Sequence, residues 1–193
     1  MRDLERCTAM PLEVILTVNV PEALPFDPRS FSYPVTVLEN RAPKGFGANH
    51  NAAFRAARGE YFCVMNPDIR LDRDPFPALI AELAKPAVAA AAPRILDAEG
   101  SIEDSARRFP TLATIARKAV TGFRGDSEYL HQTVPFSPDW VAGMFILMRS
   151  AIFRKVGGFD ERYYLYYEDV DLCARLRHRG YDIRVLPAAT ARH

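Results

Sequence analysis

The 193-residue sequence has little tryptophan, with one residue, and little cysteine, with three. Cys7, Cys63 and Cys173 are odd in number and far apart, so they do not read as a disulfide framework. Cys63 and Cys173 lie inside apolar patterns, where buried reduced thiols are the expected reading over a metal ligand or nucleophile. An excess of either charge is also lacking. Lys plus Arg total 25 and Asp plus Glu total 24, a net charge of +1. That balance gives no electrostatic reason to expect nucleic acid as a partner. No apolar run approaches the roughly 18–20 residues of a membrane-spanning helix. The longest, Val88–Ala92 and Val141–Met148, are strand-sized. Residues 1–10 carry Arg2, Asp3, Glu5 and Arg6 and do not read as a signal peptide, so a cytoplasmic address is expected. There is no Walker A lysine motif. Gly45 and Gly47 form a short glycine turn without the strand spacing of a dinucleotide fingerprint.

What is present is ordinary globular composition: 49% hydrophobic, 25% charged and 11% aromatic, which excludes disorder and coiled coil. One domain over 1–193 is expected. Fifteen prolines cut the chain into short elements. Strands are expected at Val14–Val20, Val35–Leu38, Tyr61–Met65, Val88–Leu96, Val141–Met148 and Ile183–Leu186. Helices are expected after Gly47 as far as Arg58 with Gly59 as the stop, over Phe76–Lys85, near Leu112–Val120, over Ala151–Val156 with Ser150 as cap, and from Glu168 to Arg179. Asp97–Gly100 reads as a hairpin turn. Strands alternating with helices indicate an α/β sheet with much parallel pairing, whose ligands sit at the carboxyl ends of the strands.

Candidate chemistry gathers at a few places. Asn66-Pro67-Asp68 leaves a fully apolar strand at the edge where ligands sit. Asp68 suits a hard divalent cation, which wants one or two protein carboxylates and fills its shell with water and phosphate. It also suits a simple turn after Pro67. On a helix from Glu168 to Arg179, Leu172, Cys173 and Leu176 define the buried face. Asp169 falls inside that arc and Asp171 points away. Three acids in a first turn complement the helix dipole, but an inward carboxylate needs a partner or a task. Four tyrosines precede it within Tyr163–Tyr167. Trp140 reads as core or site, and Gly143 as a bulge or a point of close ligand approach. Arg107, Arg108, Arg117, Lys118 and Arg124 read as a solvated face able to meet phosphates. His193, a lone histidine, is a possible metal ligand.

Taken together, Glu39–Arg58, Gly59–Leu71, Ser105–Leu112, Trp140–Asp160 and Tyr163–Arg177 resemble the family 2, GT-A-type glycosyltransferases of the bacterial rhamnosyltransferase-like branch. The resemblance implies a mixed, mainly parallel sheet flanked by helices. It also implies metal-assisted, inverting transfer of a sugar from a nucleotide-sugar donor to a saccharide or polyprenyl-linked acceptor, in cell-surface polysaccharide synthesis. The cofactor would be Mg²⁺ or Mn²⁺, and peripheral contact with the inner membrane is implied. Asn66-Pro67-Asp68 stands where the family has Asp-x-Asp, with Asp68 as metal carboxylate and Asn66 in place of the first acid. Glu168-Asp169 matches the acidic pair whose Asp is the general base. His193 lies where a further metal ligand is often found. Asn40, Gly45, Asn49 and Asn66 fall on the donor side, and Trp140 and Gly143 on the acceptor side. Such domains open with a strand before the stretch resembling Leu12–Val20. Only eleven residues precede Leu12, so a missing first strand and an N-terminally truncated domain are expected. A catalytically inactive binding module of the same fold and a nucleotidyltransferase are the alternatives.

Overall fold

The computed structural model describes residues 1–7, 9–109 and 129–193. The expected helix near Leu112–Val120, and Arg117, Lys118 and Arg124, lie outside the described residues. Strand β1 (Val14–Val18) and β2 (Val35–Glu39) form a parallel pair. Helix α1 (Phe46–Ala56) leads to β3 (Tyr61–Met65), and α2 (Phe76–Leu83) to β4 (Val88–Leu96). Short strands β5 (Ala106–Arg107) and β6 (Trp140–Val141) pair antiparallel. Then come β7 (Phe145–Arg149), α3 (Ser150–Val156), α4 (Glu168–His178) and β8 (Asp182–Arg192). The principal sheet has the order β3-β7-β4-β8. Strand β7 is antiparallel to both its neighbours, while β4 and β8 run parallel. Thus β3, β4 and β8 point the same way, and their carboxyl ends share one edge.

Side chains alternate across this sheet with the strand period of two. Phe62, Val64, Ile146 and Met148 pack on one face with Ala53 of α1, Ile152, Phe153 and Val156 of α3, and Leu172, Cys173 and Leu176 of α4. Phe145, Leu147, Ala91 and Ile95 pack on the other with Leu79 and Leu83 of α2. The result is a sheet between two helical layers, as the α/β reading requires. Strand β4 is buried almost throughout, and its alanines let both layers approach closely.

Several expectations change in detail. The Val141–Met148 strand is two strands, β6 and β7, separated by a turn at Gly143. Ser150 does not cap α3. It is the helix's first residue, and its hydroxyl donates to the Gly59 carbonyl instead. Gly59 does not stop α1, because extended backbone at Ala57 already ends it. The last strand extends far past Leu186, to Arg192. A register shift against β4 between Pro93 and Arg94 absorbs its irregular Pro187–Ala189 stretch.

The sheet is interrupted between β1 and β3. In β1 the Val14 N–H donates to Pro34, and the Val18 carbonyl accepts from Asn40. Parallel alternation therefore turns the Ile15 and Thr17 backbone groups away from β2. In β3 the hydrogen-bonded pairs include Asn66 with Met144, so Tyr61, Cys63 and Met65 turn their backbone away from β7. Between these two edges lies a cavity of about 670 Å³ lined mainly by apolar side chains of β1, β3 and α1. Among the described residues, no helix is long and apolar enough to cross a membrane.

Candidate functional site

The carboxyl edge of β3, β4 and β8 gathers the predicted residues. Asp68 follows β3, and the Asn66 N–H is tied to the Met144 carbonyl, 2.9 Å away, just before β7. The Asp68 loop and the Gly143 turn therefore sit side by side. The hairpin Asp97–Gly100 follows β4 as expected, with Asp97 N–H bonded to the Ser101 carbonyl and Gly100 at φ +85°. His193 follows β8 and is firmly placed: its N–H donates to Leu96 at 2.9 Å, and Arg192 exchanges two backbone hydrogen bonds with Arg70.

His193 Nε2 stands 3.5 Å from Asp68 Oδ2. These two donors, one nitrogen and one oxygen, face each other at the exposed sheet edge. Among the described residues, no three His, Cys, Asp or Glu side chains form a closed metal cage. A pair with open positions is what a divalent cation shared with a diphosphate requires, and the Asp68 carboxylate is the donor type that suits both Mg²⁺ and Mn²⁺. The donor set thus fits the implied metal.

Asp169 lies in the first turn of α4. Its Oδ2 accepts the Gly143 N–H at 2.9 Å, and its Oδ1 accepts the Val170 N–H at 2.8 Å. Both oxygens are oriented, and the carboxylate is only partly buried. Gly143 is needed for this approach. A Cβ there would lie 3.0 Å from the Phe46 ring and 3.8 Å from Asp169 Cβ. Glu168 is the more buried acid, 4% exposed, with Oε2 buried and without a hydrogen-bond partner. Burial pushes its carboxyl above the usual range; its own backbone N–H opposes the shift and the Asp169 charge adds to it. The helical pattern pointed to Asp169 alone. Glu168 lies one turn before Leu172, and this i, i+4 relation was the signal that it too faces inward.

Asn40 and Asn49, two of the asparagines expected on the donor side, are engaged with one another. Asn40 Nδ2 donates to Asn19 Oδ1 (2.9 Å) and to Asn49 Oδ1 (2.7 Å), while Asn19 Oδ1 also accepts the Lys44 N–H (2.8 Å). This network holds the turn that places Gly45. Asn19 was not among the sequence candidates. Gly45 itself is pressed against the Tyr164 carbonyl, which accepts the Phe46 N–H at 2.9 Å. Trp140 is half-buried. Its Nε1 donates to the Arg108 carbonyl, and Arg107 lies over its ring, so Arg107 is engaged with Trp140 as well as with Asp104.

The missed feature is the segment Tyr163–Tyr167. Its four tyrosines are 38–72% exposed, and Tyr166 and Tyr167 both have φ +69°. Left-handed backbone at a bulky residue costs of order 1–3 kcal/mol and persists only where the surroundings impose it. The sequence showed the tyrosines but gave no sign of this backbone.

A mixed sheet between helical layers, with an acidic site at the carboxyl edge, defines a GT-A-type fold. The solved structure of GalNAc-T7 with UDP, GalNAc and Mn²⁺ shares it, with a TM-score of 0.61 at 15% identity over 82% of this chain and 32% of that one. The model of glycosyl transferase family 2 matches residues 23–157, and the chain belongs to that family. A second model, described as the N-terminal domain of galactosyltransferase, matches residues 131–193. The rhamnosyltransferase WbbL of Escherichia coli is 33% identical over 77% of this chain and 60% of its own length. The N-acetylglucosaminyl-diphospho-decaprenol L-rhamnosyltransferase of Mycobacterium tuberculosis is 34% identical over 69% of this chain and 47% of its own. The chain therefore spans about half the length of these relatives.

Proposed function

We propose that the chain is an inverting, metal-dependent glycosyltransferase. It would move a sugar from a nucleotide-sugar donor to a hydroxyl of a saccharide or polyprenyl-linked acceptor in cell-surface polysaccharide synthesis. The observation that carries this reading is the Asp169 carboxylate, oriented by two N–H groups beside the carboxyl edge of the sheet. Rhamnosyltransferase relatives, one with a decaprenol-linked acceptor in its name, support the substrate class. Such acceptors imply work at the cytoplasmic face of a membrane, with the protein bound peripherally.

In this mechanism Asp169 takes the proton from the acceptor hydroxyl as its oxygen attacks the anomeric carbon. The bond from that carbon to the diphosphate oxygen breaks on the opposite face, and the configuration inverts. Asp68 and His193 would hold the divalent cation, which neutralises charge on the departing diphosphate when bound. The Asn19–Asn40–Asn49 network fixes the Lys44–Gly45 turn on the donor side. Trp140 and Gly143 border the acceptor side.

Asp169→Asn keeps the size and removes the basicity. It should lower transfer by about 10²–10⁴-fold with donor binding unchanged, measured by product formation and by calorimetry. Near-normal turnover would reject Asp169 as the base. The interrupted sheet favours a second reading, a catalytically inactive sugar- or nucleotide-binding module. Failure of the wild-type chain to hydrolyse or transfer any of a panel of nucleotide sugars with Mn²⁺ would select it.

A further inference from the structure

Glu103 stands directly behind His193. It leaves the hairpin after β4, where its N–H donates to the Ile95 carbonyl at 2.9 Å and its own carbonyl accepts from Ser105 at 2.8 Å. Its backbone is therefore fixed on both sides. Its carboxylate straddles the far ring nitrogen of the histidine, with Oε1 3.4 Å and Oε2 3.3 Å from His193 Nδ1. Oε2 is buried and has no fully formed hydrogen bond. A buried carboxylate oxygen without a donor is costly. The imidazole N–H is the adjacent group able to satisfy it. On the other side of the ring, Nε2 faces Asp68. The order is therefore carboxylate, imidazole, carboxylate, across the ends of β4, β8 and β3.

We propose that Glu103 is a positioning residue for the metal site: it accepts the Nδ1 proton of His193 and so presents Nε2, with its lone pair free, toward Asp68. This rests on the reading of Asp68 and His193 as a cation site. A neutral imidazole carries one proton and can ligate only through the other nitrogen. A carboxylate on Nδ1 fixes the tautomer and holds the ring plane. The side chain that decides the competence of His193 therefore comes from a different strand connection.

The test uses the full chain and two readouts. The first is the tautomer of His193, read from ¹⁵N chemical shifts without metal. Wild type should carry its proton on Nδ1, and Glu103→Ala should lose that preference. Glu103→Gln keeps an acceptor oxygen and should restore it. The second is binding of Mn²⁺ alone, followed by the spin resonance of the free ion. Glu103→Ala should weaken it by about 10–100-fold, the usual effect of losing such a partner, and Glu103→Gln should recover most of the loss. Unchanged tautomer and unchanged Mn²⁺ affinity in Glu103→Ala would overturn the proposal. Asp68→Ala separates the two ideas. It should abolish Mn²⁺ binding yet leave the His193 tautomer as in wild type. Intact Mn²⁺ binding in Asp68→Ala would reject the cation site itself, while the tautomer would still decide the role of Glu103. Thermal melting of each variant verifies that the hairpin remains folded.

Discussion

His50 packs its ring against Phe46 at 4.4 Å and against Phe159 at 6.0 Å between centroids, on the wall of the cavity beside β3. Desolvation there lowers its pKa to about 4, so the ring is neutral in the native state near pH 7. The unfolded chain binds that proton near pH 6.5, and the folded chain does so only near pH 4. Between those values the unfolded state holds more protons, so stability falls as pH falls. The loss is complete near pH 4 and amounts to up to about 3 kcal/mol, since each tenfold difference in proton affinity is worth about 1.4 kcal/mol. His50→Gln removes this proton and should flatten the difference curve. Urea unfolding of both proteins between pH 7 and 4 measures it, and parallel stability curves would show that His50 is not desolvated in solution. The same chemistry acts in the opposite sense at Glu168, where burial favours the proton. Half-buried His50 and buried Glu168 both resist carrying charge, while both carboxylate oxygens of Asp169 accept backbone N–H groups.

At the scale of elements, the strap from Tyr163 to Tyr167 depends on a glycine in a different element. A Cβ on Gly45 would lie 2.4 Å from the Tyr164 carbonyl oxygen and 2.9 Å from its Cα. Both are backbone atoms, so no side chain can swing away to relieve the clash. Gly45→Ala should cost about 1–3 kcal/mol, the usual range for overpacking, and should detach the strap from the Phe46 N–H. Gly157, the left-handed cap of α3, meets nothing within 4 Å, so Gly157→Ala costs only conformational strain, about 1 kcal/mol. Urea midpoints and the rate of proteolysis at Tyr163–Tyr167 should therefore separate the two variants; equal proteolysis would show that Gly45 does not anchor the strap. This dependence also marks where sequence reasoning stops. Strands β3 and β4 were legible because a fully buried strand is a continuous apolar run, and Asp68 and Asp169 because each acid breaks an apolar pattern. The role of Gly45 against Tyr164, of Asn19 under Lys44 and of Glu103 behind His193 was not legible. Each is a contact between segments distant in sequence, and no local periodicity encodes it. The break between β6 and β7 escaped for a related reason, since the tie from Gly143 to Asp169 crosses 26 positions.

On the scale of the whole molecule, the interruption between β1 and β3 divides the sheet into two bodies of unequal strength. Strand β4 is flanked on both sides, by β7 and β8, and its alanines are almost wholly buried. Among the described residues, strand β1 has one strand neighbour, β2, and its other edge borders the cavity of about 670 Å³. Backbone groups that face a cavity instead of a strand have no ladder to protect them, and local opening starts where packing is sparse. Hydrogen exchange should therefore be graded by direction as well as by strand. The N–H groups of Ile15 and Thr17 should exchange much faster than those of Val14 and Leu16 on the same strand, because only the latter turn toward β2. In β3, Tyr61, Cys63 and Met65 should exchange faster than Phe62 and Val64, which pair with β7. The cavity also reaches Asn66 and Pro67, so the opening adjoins the loop that carries Asp68. Asp68 and His193 are borne by the strong body, β3 and β8, and should keep slow-exchanging neighbours when β1 opens. Exchange measured by NMR on the full chain decides this. Uniform protection along β1 and β3 would mean that the two edges are paired in solution and that the gap is filled.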